Sequence, residues 1–374
     1  ESLRDIYSKF LPEIISLSNK FGQSKIIYNS LVKLKETNNF DQIKNRILDK
    51  EILEMKHRGI SLQKNDQEEF NNISAKLGQL STDFSNNVLD ATNKWFLILN
   101  KKSQVDGLPE RVLELMAISA HDHLKKNNEV DVKNGPWKLS LDIPTFTAFM
   151  TYSTDRKLRE KLYKSFVSRA SQGEKNNTQI IEEILSLRTK QANLLGYKSW
   201  AELSLTTKMA NEIKNVETLL EELREPAFKT AINELKTLEK FSKANGFPQS
   251  NKLKPWDISY WSEILRQEKL NLDQESLRPW FPLNDVLNGL FKLSEKLFEI
   301  KVVEATNEAP LWNDDVLFFN ILDKENQKIA SFYLDPYSRP ESKRGGAWMD
   351  ECLNKNNIGK NTLPVAYLVC NQTP

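Results

Sequence analysis

Histidine is nearly absent: the chain has three in 374 residues, His57, His121 and His123. None sits in a nucleophile elbow, so neither a Ser-His-Asp nor a Cys-His arrangement can be built from them. His121 and His123 flank Asp122, and the surrounding Leu115, Met116, Ala117, Ile118, Ala120 and Leu124 read as helix. Helix positions two apart point to different faces and do not share one metal ion. His57, between Lys56 and Arg58, reads as a surface histidine near the negative end of a helix dipole. No catalytic residue and no metal ligand is assigned to this chain. Cysteine is scarcer still. Cys352 and Cys370 exclude a disulfide scaffold, fit a reducing compartment, and read as small buried hydrophobes on strands. No apolar run approaches the roughly 18 residues of a membrane span, and no signal-peptide pattern leads the sequence. The expectation is a soluble, cytoplasmic protein, or an organellar one if a targeting peptide was removed before Glu1. Glycine is also sparse, 12 in all, and no Gly-rich loop follows a strand to open a helix, so nucleotide binding has no support. Charge of one sign is lacking too: 53 Lys and Arg against 51 Asp and Glu leave +2, too little to attract nucleic acid.

What is present is helical periodicity. A length of 374 predicts about two or three domains at roughly 150 residues each. Ile6, Phe10, Leu11, Ile14, Ile15 and Leu17 share a broad face, predicting a helix from about Leu3 to Lys35. A second runs from about Asp41 to Lys56, with Ile43, Ile47, Leu48, Ile52 and Leu53 inward. The clearest element carries Phe70, Ile73, Leu77, Leu80, Phe84, Val88, Ala91 and Trp95 in steps of three and four. Such a seam predicts helices packed nearly antiparallel through short links. Its aromatic members could line a ligand box, but at helical spacing core packing is the commoner cause. The chain then turns polar over 125–137, and Lys138–Asp142 reads as one short strand ended by Pro144. Ser153, Thr154 and Asp155 offer N-caps for a helix carrying Leu158, Leu162, Tyr163, Phe166, Val167 and Ala170. Further helices are predicted over about Thr178–Leu195, stopped by Gly196, and over Glu212–Ala244, which Pro226 should kink or divide. Two more lie at about Ile258–Leu270 and Asp285–Ile300.

Four short strands close the sequence. Val316–Leu322 and Ser331–Leu334 are joined by the polar turn Asp323–Gln327 in a hairpin pattern. Lys343–Cys352 and Leu363–Asn371 follow, rich in β-branched and aromatic residues. The unusual piece is Gly345-Gly346-Ala347-Trp348. Glycine inside a strand is costly unless something must approach the backbone closely. By itself the pattern fits small residues that let a helix lie flat on the sheet; an extended peptide pairing with an exposed strand edge is the other reading. The regions are 1–137, an N-terminal helical bundle; 138–300, a second helical region; and 301–374, a small β-sheet region.

These last strands carry a resemblance. Ser331-Phe332-Tyr333-Leu334-Asp335, Lys343-Arg344-Gly345-Gly346-Ala347-Trp348-Met349-Asp350 and Pro364-Val365-Ala366-Tyr367-Leu368 are similar to the oligopeptidase A branch of the thimet oligopeptidase family, zinc metallopeptidases that cut short peptides. Phe84–Thr92, Leu141-Asp142-Ile143-Pro144, Leu195-Gly196-Tyr197, Thr207-Lys208-Met209-Ala210, Trp256–Tyr260, Leu277-Arg278-Pro279 and Asn288–Phe291 continue it in family order over nearly the whole chain.

The resemblance implies a mostly α fold, a multi-helix half of a clamshell peptidase with a small β-sheet near its C-terminal end. It implies a zinc-dependent oligopeptidase as the full-length protein, with short peptides as substrates. It also implies that a strand beside the zinc helix holds the substrate backbone, which carries a substrate-binding role to Gly345, Gly346 and Ala347, with Trp348 as a packing neighbour. The family's His-Glu-x-x-His motif does not occur in this sequence. Zinc is therefore expected in the full-length enzyme and not in this chain, which is expected to need a C-terminal catalytic portion and to be inactive without it. The alternative is a stand-alone α-helical peptide-binding or scaffold module without catalysis.

Overall fold

The computed structural model describes residues 2–125, 130–271, 274–339, 343, 346–357 and 361–372. In chain order the elements are α1 (Ser2–Gly22), α2 (Lys25–Thr37), α3 (Gln42–His57), α4 (Lys64–Lys94), β1 (Phe96–Leu99), α5 (Glu110–Leu124), β2 (Trp137–Ser140), α6 (Ile143–Tyr152) and α7 (Arg156–Val167). There follow α8 (Thr178–Leu194), α9 (Trp200–Leu205), α10 (Ile213–Ala244), α11 (Pro255–Leu270), the single turn α12 (Gln274–Leu277) and α13 (Leu283–Phe298). The strands β3 (Lys301–Glu304), β4 (Leu317–Leu322), β5 (Lys328–Tyr337), β6 (Trp348–Leu353) and β7 (Val365–Gln372) end the chain. The fold is mostly α with one small mixed sheet late in the sequence, as the periodicity predicts. It divides into two compact units, each made of two stretches: residues 1–91 with 168–236, and 92–167 with 237–374. The boundaries of these units are not those of the three sequence regions.

In the first unit the single helix expected over 3–35 is two, because Ser24 leaves helical geometry and its hydroxyl accepts from the Ile27 N–H, 3.4 Å away, opening α2. α4 follows its predicted seam in its first half: Phe70, Ile73 and Leu80 are buried, whereas Phe84 is 36% exposed. α8 ends at Gly196, whose φ of +87° is a conformation glycine adopts without a Cβ penalty. α10 passes through Pro226 undivided. The carbonyl that Pro226 leaves without a donor belongs to Glu222, which is exposed, so water can take the place of the missing bond. His57 departs from expectation. It ends α3 but is half-buried, its Nε2 3.1 Å from the Tyr197 hydroxyl and 3.3 Å from that of Thr206, with the tyrosine ring edge-on at 5.8 Å. Burial lowers its pKa below the ordinary 6.5, against a weaker opposing pull from Glu54.

In the second unit Leu99, Val112, Met116, Trp137, Leu139, Leu141, Phe149 and Leu162 form a closed core around the antiparallel pair β1–β2, in which Ile98 faces Lys138. Pro144 corrects the sequence reading: rather than ending a strand, it lies in the first turn of α6, where a missing N–H costs nothing. Asp142 caps that turn by accepting from the Thr145 N–H at 3.0 Å. Asp155 does the same for α7, accepting from the N–H groups of Lys157 and Leu158, both at 3.0 Å.

α7 is tied to α11 by buried charge. Asp257, fully buried, receives both Nε and an Nη of Arg156 at 2.9 and 2.8 Å, and an Nη of Arg159 at 3.4 Å. Arg159, 2% exposed, also donates to the carbonyls of Trp256 at 3.0 Å and Ser153 at 2.5 Å, and stacks 4.2 Å from the Tyr260 ring. The hydrogen bond to Asp257 raises the Arg156 pKa, while burial lowers that of Arg159.

Two outcomes are expected. Asp257→Ala strands Arg159 without its counter-ion and should cost about 3–5 kcal/mol in urea unfolding, and Arg156→Ala, whose side chain is 36% exposed, distinctly less; a cost under about 1 kcal/mol for the first would contradict the assignment. Because the folded pKa of His57 lies below 6.5, its contribution is present above that pH and declines as the imidazole must be charged. The urea midpoint should therefore fall more between pH 7 and pH 5 in the wild type than in His57→Gln, and parallel curves would refute this.

Candidate substrate-strand site

The late sheet has strand order β3-β4-β5-β7-β6, with β5 and β7 parallel and the other neighbours antiparallel. β6 is thus an edge. Trp348 pairs with Val369, Met349 with Leu368 and Asp350 with Tyr367. Alternate N–H and C=O groups of an edge strand point away from the sheet with no ladder partner. The strand is open to solvent, with Trp348 50% and Met349 79% exposed. One of its amides is already engaged: the Glu351 N–H donates to the Asp350 carboxylate at 2.8 Å.

The period-two alternation gives the sheet two faces. Phe318, Tyr333 and Tyr367 line one, with ring centroids 4.7 and 5.5 Å apart, and Trp312 packs on the last two. The other carries Phe319 stacked on Phe332, and Phe291 of α13 closes on both. Cys352 and Cys370 are free thiols on β6 and β7, half-buried rather than fully buried. A hydrogen bond with Cys352, together with burial, raises the Tyr367 pKa.

Of the four residues expected at the substrate strand, Gly345 lies outside the described residues. Gly346 is exposed with φ +111°, a backbone state that side chains resist, and a Cβ built there would meet nothing within 4 Å. Conformation, not crowding, is what reserves that position for glycine. Ala347 is exposed and leads into β6, and Trp348 is its first residue, half-exposed with its ring edge-on to Tyr367 at 6.1 Å.

The residues that hold this strand in place carry no role in the sequence reading. Asp335, at the inward end of β5 and 2% exposed, accepts from both Nη groups of Arg339 at 2.8 and 2.7 Å and from the Trp312 indole at 3.1 Å. The Lys343 ammonium lies 3.0 Å from the same carboxylate. It also donates to the carbonyls of Asp335, Tyr337 and Cys370 at 3.2, 2.6 and 2.7 Å. One lysine therefore fastens the segment entering β6 to both β5 and β7. Burial opposes ionisation of Asp335, but the bonds from Arg339, Lys343 and Trp312 outweigh it and hold the carboxyl below its ordinary 3.8. The available signal was parity: Asp335 shares its face with Ser331 and Tyr333, an inward position where an acid needs partners.

Among the described residues no group of three His, Cys, Asp or Glu side chains lies close enough to hold a metal ion. His123 packs edge-on against Phe96 at 4.3 Å, and His121 sits with Nδ1 3.7 Å from Asp122.

Asp335→Ala should cost about 3–5 kcal/mol, since it leaves two cations in a largely dry site. The depressed carboxyl contributes stability above pH 3.8 that is lost as pH falls through its folded value, so the acid limb of unfolding should flatten in Asp335→Asn. Lys343→Met should speed amide exchange along β6 and leave α8 unaffected. Unchanged exchange in β6 would remove the lysine's anchoring role.

The sequence model of Peptidase family M3 matches residues 149–374, and that of the Neurolysin/Thimet oligopeptidase N-terminal domain matches residues 1–67. The chain is 41% identical over 380 residues to organellar oligopeptidase A, chloroplastic/mitochondrial, of Arabidopsis thaliana, covering 100% of this chain and 48% of that protein. It is 40% identical to the probable cytosolic oligopeptidase A of the same plant, covering 100% and 54%, and 35% identical to oligopeptidase A of Escherichia coli, covering 99% and 54%. The chain spans about half the length of these relatives. With a mostly α fold, a late mixed sheet and matches that run from end to end, this chain belongs to Peptidase family M3, in its oligopeptidase A and thimet oligopeptidase group.

Proposed function

We propose that this chain is the portion of a zinc-dependent oligopeptidase that shapes the peptide channel and presents β6 to the backbone of a short, extended substrate. The observation that carries the reading is an exposed edge strand, entered through a glycine at φ +111° and pinned at Lys343 to two neighbouring strands. A peptide added to such an edge gains main-chain hydrogen bonds whatever its sequence, and the strand's exposed side chains tune preference. Zinc, when bound in the whole enzyme, supplies a Lewis acid and an activated water. The described residues do not form a site for it. Their part is to bind and orient: Gly346, Ala347 and Trp348 at the strand entry, with Gly345 before them, and Asp335 and Lys343 behind. The partners are short peptides and a C-terminal catalytic portion. No helix among the described residues is long and apolar enough to cross a membrane. Relatives named as cytosolic and as organellar leave both compartments within the proposal.

The test compares the 374-residue chain with a form extended to its relatives' length, using a quenched short peptide. Cleavage stopped by a chelator is expected in the extended form only. In that form Gly346→Val should raise KM about tenfold with kcat within about twofold, the signature of lost ground-state binding. Chelator-sensitive cleavage by the 374-residue chain itself would overturn the division of labour. An extended form that binds peptides without cleaving them would replace it with the stand-alone binding module.

A further inference from the structure

A second feature of the same unit lies away from β6. A groove of about 610 Å³ opens between α5, β2, the start of α6 and the residues that follow β5. This volume is in the range of small-ligand sites, roughly 300–1,000 Å³. Its ionisable lining comprises Lys138, His123, Arg339, Asp122 and Asp142. Of the two acids, Asp142 is engaged and Asp122 is open to solvent. Asp142 accepts from the Thr145 N–H and the Ser140 hydroxyl while capping α6. The Asp122 side chain is 72% exposed and lies beside His121.

Lys138 is not matched in the same way. Lys138 is half-buried, and among the described residues no carboxylate lies within ion-pairing distance of it. Its ammonium sits 5.5 Å over the Phe96 ring, whose other neighbour is the His123 ring at 4.3 Å. An aromatic face steadies a cation without using its N–H donors. Those three donors remain available. Arg339 satisfies Asp335 through its two Nη groups and lies 3.9 Å from the Asp315 carboxylate, and its buried Nε has no acceptor among the described residues. A half-buried lysine without a carboxylate partner, in a groove that Arg339 also lines, is chemistry suited to an anion.

We propose that this groove is a carboxylate subsite for peptide ligands, with the Lys138 ammonium as its main contact and Arg339 in support. The choice of a peptide carboxylate rests on the function proposed above. Arg339 links the two places, because the carboxylate it holds, that of Asp335, is also held by the lysine that fastens the entry to β6. A peptide lying along the edge strand would be selected for its backbone there and for a negative charge here.

The test titrates the chain with N-acetyl-(Ala-Ser)3 as the free acid, as its C-terminal amide, and as an amide in which Asp replaces the last Ser. The free acid should bind about tenfold more tightly than the plain amide, the difference expected of one charge-assisted contact. Lys138→Gln should erase that ratio and leave the affinity of the plain amide unchanged, and Lys138→Arg should keep it. The Asp-bearing amide separates the two sources of charge: tight binding that depends on Lys138 assigns the subsite to acidic side chains, and weak binding assigns it to chain termini. Equal binding of acid and amide by the wild type, a ratio that survives Lys138→Gln, or no binding of either peptide would overturn the proposal. If the ratio behaves as expected while Gly346→Val leaves both affinities untouched, the groove stands and the edge-strand reading falls.

Discussion

A carboxylate with almost no contact with water stays ionised only where donors surround it, and the late sheet is arranged to supply them to Asp335. Trp312, from the segment before β4, and Arg339 and Lys343, from the segment after β5, converge on one side chain. Because Lys343 also bonds carbonyls of β5 and β7, the charge that keeps Asp335 ionised is the same charge that fixes where the chain enters β6. The edge strand is thus positioned from behind, by a buried ion cluster, while its front stays open. The proposed main-chain recognition is favoured by this combination, since a floppy edge would have to be ordered by the peptide at the expense of affinity.

The same device appears between α7 and α11. There a fully buried Asp257 takes the fork of Arg156 and a third bond from Arg159, while the Tyr260 ring covers the second guanidinium. Arginine suits the place because its planar donors match a carboxylate two at a time. Such clusters need not add to stability relative to an apolar core, but removing one partner leaves the other charge buried and uncompensated. A net charge of +2 conceals all of this. The near balance of charge comes partly from charges paired inside the fold.

Much of the architecture was legible from periodicity. The predicted bounds of α3, α8, α11 and α13 lie within a few residues of those observed, because each has an apolar stripe at helical spacing together with a cap, a proline or a glycine near an end. The misreadings have local causes. The break between α1 and α2 turns on one serine hydroxyl capping one amide, which periodicity does not register. Pro144 reads from sequence as a strand terminator, although a proline is equally at home in the first turn of a helix. His57 read as a surface residue because its partners, Tyr197 and Thr206, are far along the chain.

By itself the sequence determined the helical class, the late strands, the family and the glycine that marks the entry to the edge strand, since each depends on neighbours within a few residues or on a long contiguous match. Only the tertiary structure decided that β6 is the outermost strand. Strand order depends on pairing between distant segments, and β7, the last strand in the chain, inserts between β5 and β6. The roles of Asp335, Arg339 and Lys343, and the unmatched charge of Lys138, were decided in the same way. A buried charge is defined by what stands within a few ångströms of it, and periodicity and motif do not supply those distances.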